Sequence, residues 1–187
     1  ARQLALGGEV LTITDDINQP IWNPATISID LDRKVSVNYS SFLAGINVGS
    51  ISYASEVSRR FGVIHGNIKY FDYGSLIGAD EQGNETGTFR ANDIAVSLGY
   101  SYNIPRSNFY VGTNLKFINS NISNFSSVGV AVDFALLYTS IYKPYSFTAV
   151  VRNLGTQIKS FSGQNEDLPL EILVGGSYQL EHVPLKW

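Results

Sequence analysis

The chain lacks cysteine and methionine throughout its 187 residues, and only 16% of its residues are charged. Without cysteine there is no disulfide framework, no thiolate metal site and no cysteine nucleophile. The formal net charge of −3 argues against nucleic-acid binding, which requires a basic patch or stripe. No apolar run approaches the ~18 residues of a membrane-spanning helix, and residues 1–8 lack the apolar stretch of a signal peptide.

The residues that are abundant favour β-structure. Hydrophobic residues make up 44% of the chain and aromatic residues 12%, with 17 glycines. This composition is too apolar and too aromatic for a disordered chain. It is compatible with a transmembrane β-barrel, because lipid-facing residues alternate with polar ones and the average hydropathy conceals them.

Apolar and small or polar residues alternate with a period of two from about residue 33 onward, which predicts β-strands. The clearest runs lie at residues 94–102, 109–117, 128–138 and 170–180. Together with weaker runs elsewhere, they predict about eight strands. Several runs span about ten residues, the length of a strand that crosses a bilayer at a tilt, whereas five to six is usual in globular sheets.

From the second one onward, the predicted connections alternate between short and long, the long ones being residues 71–90, 119–126 and 154–169. Outer-membrane barrels have short periplasmic turns and longer outer loops, so we expect the long connections to face outward. Aromatic residues near the predicted strand ends fit the belts at the two membrane interfaces. They are Tyr70, Tyr100, Tyr102, Phe109, Phe117, Tyr138 and Tyr178.

Residues 1–30 have no strand pattern and are mostly apolar or small, so we expect them to form a plug or a periplasmic segment. An eight-stranded barrel is only wide enough for its own side chains. Residues 31–187 are therefore expected to be the N-terminal part of a larger barrel whose lumen holds the plug. The short stretch after a final predicted turn, residues 185–187, supports a barrel that continues further.

The inward-facing set of the predicted strands is small and neutral, with isolated charges. Asp15 and Asp16 are expected to pair with lumen cations or, alternatively, to lie in a solvated turn, since a buried carboxylate requires a partner. Asn23 precedes a proline and predicts an extended or turn conformation. The candidate lumen and plug residues are Asp15, Asp16, Trp22, Asn23, Lys69, Asp133 and Arg152.

Three stretches carry a family resemblance. The opening contains Arg2, residues 5–8 (Ala-Leu-Gly-Gly), Asp15-Asp16 and residues 23–25 (Asn-Pro-Ala). It resembles the N-terminal segment of FadL-like outer-membrane barrels of the PorV/PorQ type. Residues 83–89 and 152–159 are similar to the PorQ subgroup of that family. The resemblance covers the chain and implies an antiparallel up-and-down barrel of 14 strands when complete, with about eight N-terminal strands here.

The resemblance also implies a function in the cell outer membrane. Members of this group are non-enzymatic components of the type IX secretion system of Bacteroidetes. They anchor PorZ at the cell surface for cargo processing with PorU and PorV, and no cofactor is implied. Lipid or detergent would cover the outer face of the barrel. The candidate partner-binding residues in the expected outer loops are Asp80, Glu81, Asn84, Glu85, Phe89, Gln157 and Phe161.

Catalytic and metal-binding motifs are weak or missing from the sequence. There is no Gly-x-Ser-x-Gly elbow, P-loop or dinucleotide fingerprint, and His65 and His182 are unclustered. Two alternatives to the secretion scaffold stay open. One is a FadL-like transporter of hydrophobic molecules, which needs an apolar lumen. The other is a soluble β-sandwich binding module.

Overall fold

The structure, a computed structural model, describes residues 10–58, 60–140, 143–161 and 167–179. This part of the chain is all-β, with four short 3₁₀ turns at Gln19–Ile21, Pro24–Thr26, Ile29–Leu31 and Leu43–Gly45. The eight strands are β1 (Val35–Ser41), β2 (Asn47–Ser58), β3 (Gly62–Ala79), β4 (Glu85–Asn103), β5 (Phe109–Ile122), β6 (Phe125–Thr139), β7 (Tyr145–Lys159) and β8 (Glu171–Tyr178).

The strands form one sheet in the order in which they occur along the chain. Each strand pairs antiparallel with the next one, for example Phe109 with Tyr138 and Val111 with Leu136 between β5 and β6. The sheet is an up-and-down meander that does not close within the described residues. The expected all-β, antiparallel up-and-down fold is thus confirmed, in the form of an open eight-stranded sheet.

The two faces of the sheet differ sharply, because successive side chains of a strand point to opposite sides. On the outer face Leu98 and Phe134 are 65% and 51% exposed, and no second β-layer covers them in the described part of the chain. On the inner face the alternate residues Ala131, Asp133 and Ala135 are buried. The alternation in the sequence therefore assigned these side chains to the correct faces.

Residues 10–34, called the N-terminal segment below, cover the inner face. One apolar cluster joins Leu11 and Ala25 of this segment to β6 and β7. A second joins Ile27 and Leu31 to Ala54 of β2 and Val63 of β3. The apolar core therefore lies between the N-terminal segment and the sheet. Residues 1–9 and 180–187, which include part of the family motif and the predicted final turn, lie outside the described residues.

The prediction of a long connection at residues 71–90 is wrong. Most of it belongs to β3 and β4, which are joined by a turn at residues 80–84. The connection predicted at 119–126 likewise shrinks to residues 123 and 124. Polar residues interrupt the apolar pattern in both stretches, but the hydrogen bonds of a sheet join backbone groups and do not require apolar side chains. The described residues therefore do not show the predicted alternation of short and long connections.

The β3–β4 hairpin extends beyond its neighbours. Pairing with β2 ends at Asp72, and pairing with β5 begins at Ala91. Residues 73–90, called the projecting hairpin below, therefore form no ladder with another described strand; outside the hairpin, the Arg90 carbonyl accepts one backbone hydrogen bond from Ser123 at 2.9 Å. The register shifts between Asp72 and Ser75, and Gly74 has a φ of 70° at this point. A bulge with a left-handed glycine thus marks the place where the hairpin leaves the main sheet.

Candidate functional site

The N-terminal segment is attached to the sheet by side chains that bind its backbone carbonyl groups. Asn114 of β5 donates from Nδ2 to the carbonyl oxygen of Pro20 at 2.7 Å. Ser101 of β4 donates to the carbonyl oxygen of Ile27, also at 2.7 Å. A buried segment without regular secondary structure leaves backbone groups unpaired unless side chains bind them. These two residues of the inner face supply that pairing.

Asn23 of the N-terminal segment is fully buried and binds both the segment and the sheet. Its Oδ1 accepts from the backbone N–H of Ala25 at 2.9 Å, which caps the second 3₁₀ turn. Its Nδ2 donates to the carbonyl oxygen of Leu11 at 2.7 Å and to Oγ1 of Thr148 in β7 at 2.9 Å. Both N–H donors and the oxygen of this side-chain amide thus bind the segment to itself and to the sheet.

Asn18 makes the corresponding contacts on β1 and β2. Its Nδ2 donates to Ser36 at 3.1 Å, and its Oδ1 accepts from Asn38 at 3.0 Å and Ser52 at 2.9 Å. The carboxylate of Asp16 accepts from the backbone and side-chain nitrogens of Asn18 at 2.9 and 3.0 Å. Asp16 therefore orients Asn18 within the segment.

Asp133 forms a buried ion pair with Lys116. The Lys116 Nζ lies 2.7 Å from Asp133 Oδ2, and the Asp133 side chain has no exposed area. The same carboxylate accepts from Asn114 Nδ2 at 3.1 Å and from the backbone N–H of Asn153 at 2.9 Å. A buried carboxylate is tolerated when a cation and hydrogen-bond donors compensate its lost hydration. This network joins β5, β6 and β7 directly beneath the segment.

Arg152 and Trp22 form a second contact between the sheet and the segment. Arg152 donates from Nε to Glu171 Oε2 at 2.9 Å, which links β7 to β8. Its guanidinium carbon lies 5.2 Å from the centre of the Trp22 ring. A guanidinium over an indole face is a favourable cation–π geometry. Trp22 thus packs against the apolar cluster of the inner face and contacts the Arg152 cation.

Asp15 and Lys69 occupy less central positions among the predicted lumen residues. Asp15 is exposed, and Lys69 is half-buried on the inner face of β3. The Lys69 Nζ lies 4.7 Å from the centre of the Phe71 ring. Lys69 thus has an aromatic partner on its own strand.

Gly112 of β5 has no side chain, which lets the backbone of the N-terminal segment lie directly against the sheet. A Cβ atom on Gly112 of β5 would lie 2.3 Å from the carbonyl carbon of Pro24 and 2.4 Å from the nitrogen of Ala25. Both atoms belong to the backbone and cannot move aside as a flexible side chain would. The absence of a side chain at this position therefore fixes how deeply the segment lies on the sheet.

The predicted partner-binding residues separate into two places. Asp80, Glu81 and Asn84 lie in the turn of the projecting hairpin, and the expectation that the remaining residues lie in loops is mostly wrong. Glu85 and Phe89 are in β4, Gln157 is in β7, and Phe161 follows the end of β7. Their stretches pair as strands for the backbone reason given above. Five of the seven predicted residues nevertheless share the projecting hairpin: Asp80, Glu81, Asn84, Glu85 and Phe89.

Asp80 organises that turn. Its Oδ1 accepts from the backbone nitrogens of Gln82 at 3.0 Å and Asn84 at 2.7 Å, and its Oδ2 accepts from Asn84 Nδ2 at 3.0 Å. Hydrogen bonds from the Asn84 side chain and then from its backbone lower the pKa of the Asp80 carboxyl. The carboxylate form is favoured because every one of these groups donates to it.

Several residues of these polar networks were not identified from the sequence. They are Asn18, Asn114, Lys116, Thr148 and Glu171. The available signal was strand parity, since Asn114 and Lys116 share the inward set of β5 with Gly112. Strand parity predicts the face on which a side chain lies. It does not predict that Asn114 binds Pro20, 94 positions away, because that contact depends on tertiary structure.

The described residues contain no group of three or more His, Asp or Glu side chains that could hold a metal ion. A cavity of about 400 Å³ lies between the segment and strands β2 to β5, and its lining includes Asp30, Glu56 and Tyr110. No helix in the described residues is both long and apolar enough to cross a membrane.

Fold and contacts together define a single-sheet β-protein with an apolar outer face that no other described strand covers and an inner face filled by its own N-terminal segment. A comparison with protein-family models finds no match for this chain. No curated protein matches it either.

Proposed function

We propose that the chain forms part of an outer-membrane β-barrel whose outer face contacts lipid. The observation that carries this proposal is the length of the apolar band on that face. On β5 the outward residues from Phe109 to Phe117 are apolar or threonine, and the next outward residues are Asn119 and Asn121. A strand that crosses a bilayer needs about 9–11 residues, tilted by about 45°. The band on β5 has this length.

The extent of exposed apolar surface gives further support. Large apolar side chains are exposed on the outer face of every strand, whereas a soluble monomer rarely exposes more than a few hundred Å² in one patch. They include Val37, Ile51, Ile68, Leu98, Leu115, Phe134, Phe147, Ile172 and Val174. A soluble β-sandwich would bury this face beneath a second sheet.

Aromatic rings cluster at one end of the band. Tyr100 and Tyr102 lie 6.4 Å apart between ring centres, and Phe109 lies 5.1 Å from Tyr138. Tyr138 in turn lies 6.1 Å from Tyr145 on the next strand. Tyrosine rings with an apolar body and a polar hydroxyl favour the headgroup region of a membrane. The cluster supports a membrane interface at the end of the sheet where β4 is joined to β5 through residues 104–108.

Within the membrane we propose a non-enzymatic scaffold of the type IX secretion attachment complex, one that anchors PorZ for processing with PorU and PorV. Support comes from the resemblance of residues 83–89 and 152–159 to PorQ, and from the projecting hairpin that presents the first stretch. The N-terminal segment occupies the inner face through directed hydrogen bonds. Such packing suits a plugged barrel better than a path for hydrophobic molecules.

Two measurements on the complete protein test this proposal. Purification with and without detergent should give a monodisperse species only with detergent. Affinity purification from native membranes should then recover PorZ or PorU. Bound lipid without PorZ or PorU would favour transport of hydrophobic molecules, and a monodisperse monomer without detergent would overturn the membrane assignment.

A further inference from the structure

The projecting hairpin has an unpaired backbone edge on β3. Residues 75–79 pair with β4 on one side, residues 73 and 74 lie at the bulge, and pairing with β2 on the other side ends at Asp72. No described strand therefore binds the outer backbone groups of this stretch. An unpaired edge of this kind is a template for pairing with another chain.

The β3 edge also lacks two usual protections against such pairing. Natural edges commonly carry charged residues or proline, but residues 73–79 (Tyr-Gly-Ser-Leu-Ile-Gly-Ala) contain neither. Within this stretch Ile77 is 64% exposed and Leu76 is 38% exposed. The facing stretch of β4 begins with Glu85 and ends with Arg90. The two edges of one hairpin thus differ, and the β3 edge is the one open to pairing.

The charged residues near the β3 edge indicate which kind of chain would bind there. The turn beside it carries Asp80 and Glu81, and Glu85 follows at the start of β4, with Arg90 at the far end of the hairpin. A second copy in the same membrane would present its hairpin in the same direction. Pairing of the two β3 edges would then place their acidic turns side by side, and this like-charge contact is unfavourable.

We propose that residues 73–79 bind an extended segment of a soluble partner protein, which adds as a strand and carries basic residues beside the acidic turn. Backbone hydrogen bonds supply the pairing, and alternate apolar side chains of the added strand pack beside Ile77. This inference rests on the proposed function, because the outward orientation of the hairpin comes from the membrane assignment.

The test uses the full chain in lipid nanodiscs and a labelled synthetic peptide, Lys-Lys-Thr-Val-Thr-Val-Thr-Val-Thr, as the probe. We expect saturable binding and slowed hydrogen exchange at residues 73–79. A Glu-Glu version of the peptide should bind at least about tenfold more weakly, which corresponds to about 1.4 kcal/mol. A version with alternate backbone N-methyl groups should not bind, because it cannot complete the strand pairing.

Two matched variants test whether the peptide binds at the β3 edge of the hairpin. Ile77→Glu should weaken binding about tenfold although its charge attracts the peptide, because a charge on an edge strand opposes pairing. Thr88→Glu, at the residue paired with Ile77 on β4, should change binding less than about twofold. The N-methylated peptide tests the same contact without altering the protein, so a folding defect in a variant does not decide the result.

Three outcomes would overturn the inference: equal binding of the basic and acidic peptides, binding of the N-methylated peptide, or a dimer that protects residues 73–79 without peptide. The detergent and co-purification results address the membrane scaffold separately. Peptide binding can therefore fail while the membrane assignment holds, and the membrane assignment can fail while the edge still pairs.

Discussion

Gly112 brings the N-terminal segment into direct backbone contact with β5, because a Cβ atom there would overlap Pro24 and Ala25. Asn23 and Asn114 then bind carbonyl groups that this close approach removes from water. Asp133 and Lys116 complete the layer with a buried ion pair. At the scale of single residues, the inner face is therefore shaped by one missing side chain and a few polar groups with several partners each.

Gly112→Ala should displace the segment, because its new methyl group meets backbone atoms. We expect a loss of about 1–3 kcal/mol in the free energy of unfolding, as for overpacked cores, and faster hydrogen exchange at residues 19–27. Gly49→Ala is the matched control, since no atom lies within 4 Å of its Cβ position. Equal exchange rates in the two variants would contradict the close contact.

Asp133→Leu should destabilise the sheet by about 3–5 kcal/mol, because it leaves the buried ammonium of Lys116 without an anion. The free energy of unfolding is measured by urea titration of the folded protein. Adding Lys116→Met should recover much of the loss, since no uncompensated charge is then buried. A single variant as stable as the parent chain would show that the pair contributes little.

At the scale of elements, β3 and β4 are the longest strands, and their ends form the projecting hairpin. The sheet register continues through the hairpin with shifts after Asp72 and after Gly78. The turn closes on Asp80, whose carboxylate accepts three hydrogen bonds from Gln82 and Asn84. The order of this exposed turn is therefore linked to the ionisation of one residue.

The turn should keep its order in mild acid. Because the folded-state pKa of Asp80 lies below its ordinary value of 3.8, the contribution of its carboxylate is fully present above that value. It is lost as the pH falls through the lowered folded-state pKa. The backbone amide signal of Asn84, followed by NMR against pH, should report a midpoint below 3.8.

Asp80→Asn should abolish this pH-dependent transition, whereas Glu81→Gln in the same turn should leave it unchanged. A midpoint at or above the ordinary value of 3.8 would mean that the hydrogen bonds from Asn84 do not favour the carboxylate in solution.

At the scale of the whole molecule, the sheet has an apolar outer face and an inner face occupied by its own chain. This distribution is the reverse of a soluble β-sandwich, in which the apolar face is buried and the other face is wet. Lipid supplies the missing cover for the outer face in the proposed function.

Leu115→Arg should make the free energy of folding into the membrane less favourable by about 2–4 kcal/mol. This is the cost of an arginine on the outside of a barrel near the middle of the bilayer. Asn119→Arg lies four residues further along the outer face of β5, beyond the apolar band, and should cost about 0–1 kcal/mol. Folding into lipid vesicles by urea dilution measures both. Equal effects of the two variants would contradict a lipid-facing band.

The strands and their faces were predictable from the sequence, because side-chain direction in a strand depends only on local parity. Val130, Phe134 and Leu136 were placed outward and Asp133 inward on that basis. Trp22, Asn23 and Arg152 were selected as inner-face candidates, and their contacts join segment and sheet. The lengths of β3 and β4 were not predictable, because backbone pairing continues where the apolar pattern ends.

By itself, the sequence determined the strand class, the facing of the side chains and the apolar character of the N-terminal segment, since each depends on neighbouring residues alone. Tertiary structure decided which carbonyl each asparagine binds, which cation compensates Asp133, and how far the hairpin projects. These features join residues that are distant in the chain, and their energies exist only after the sheet has brought the partners together.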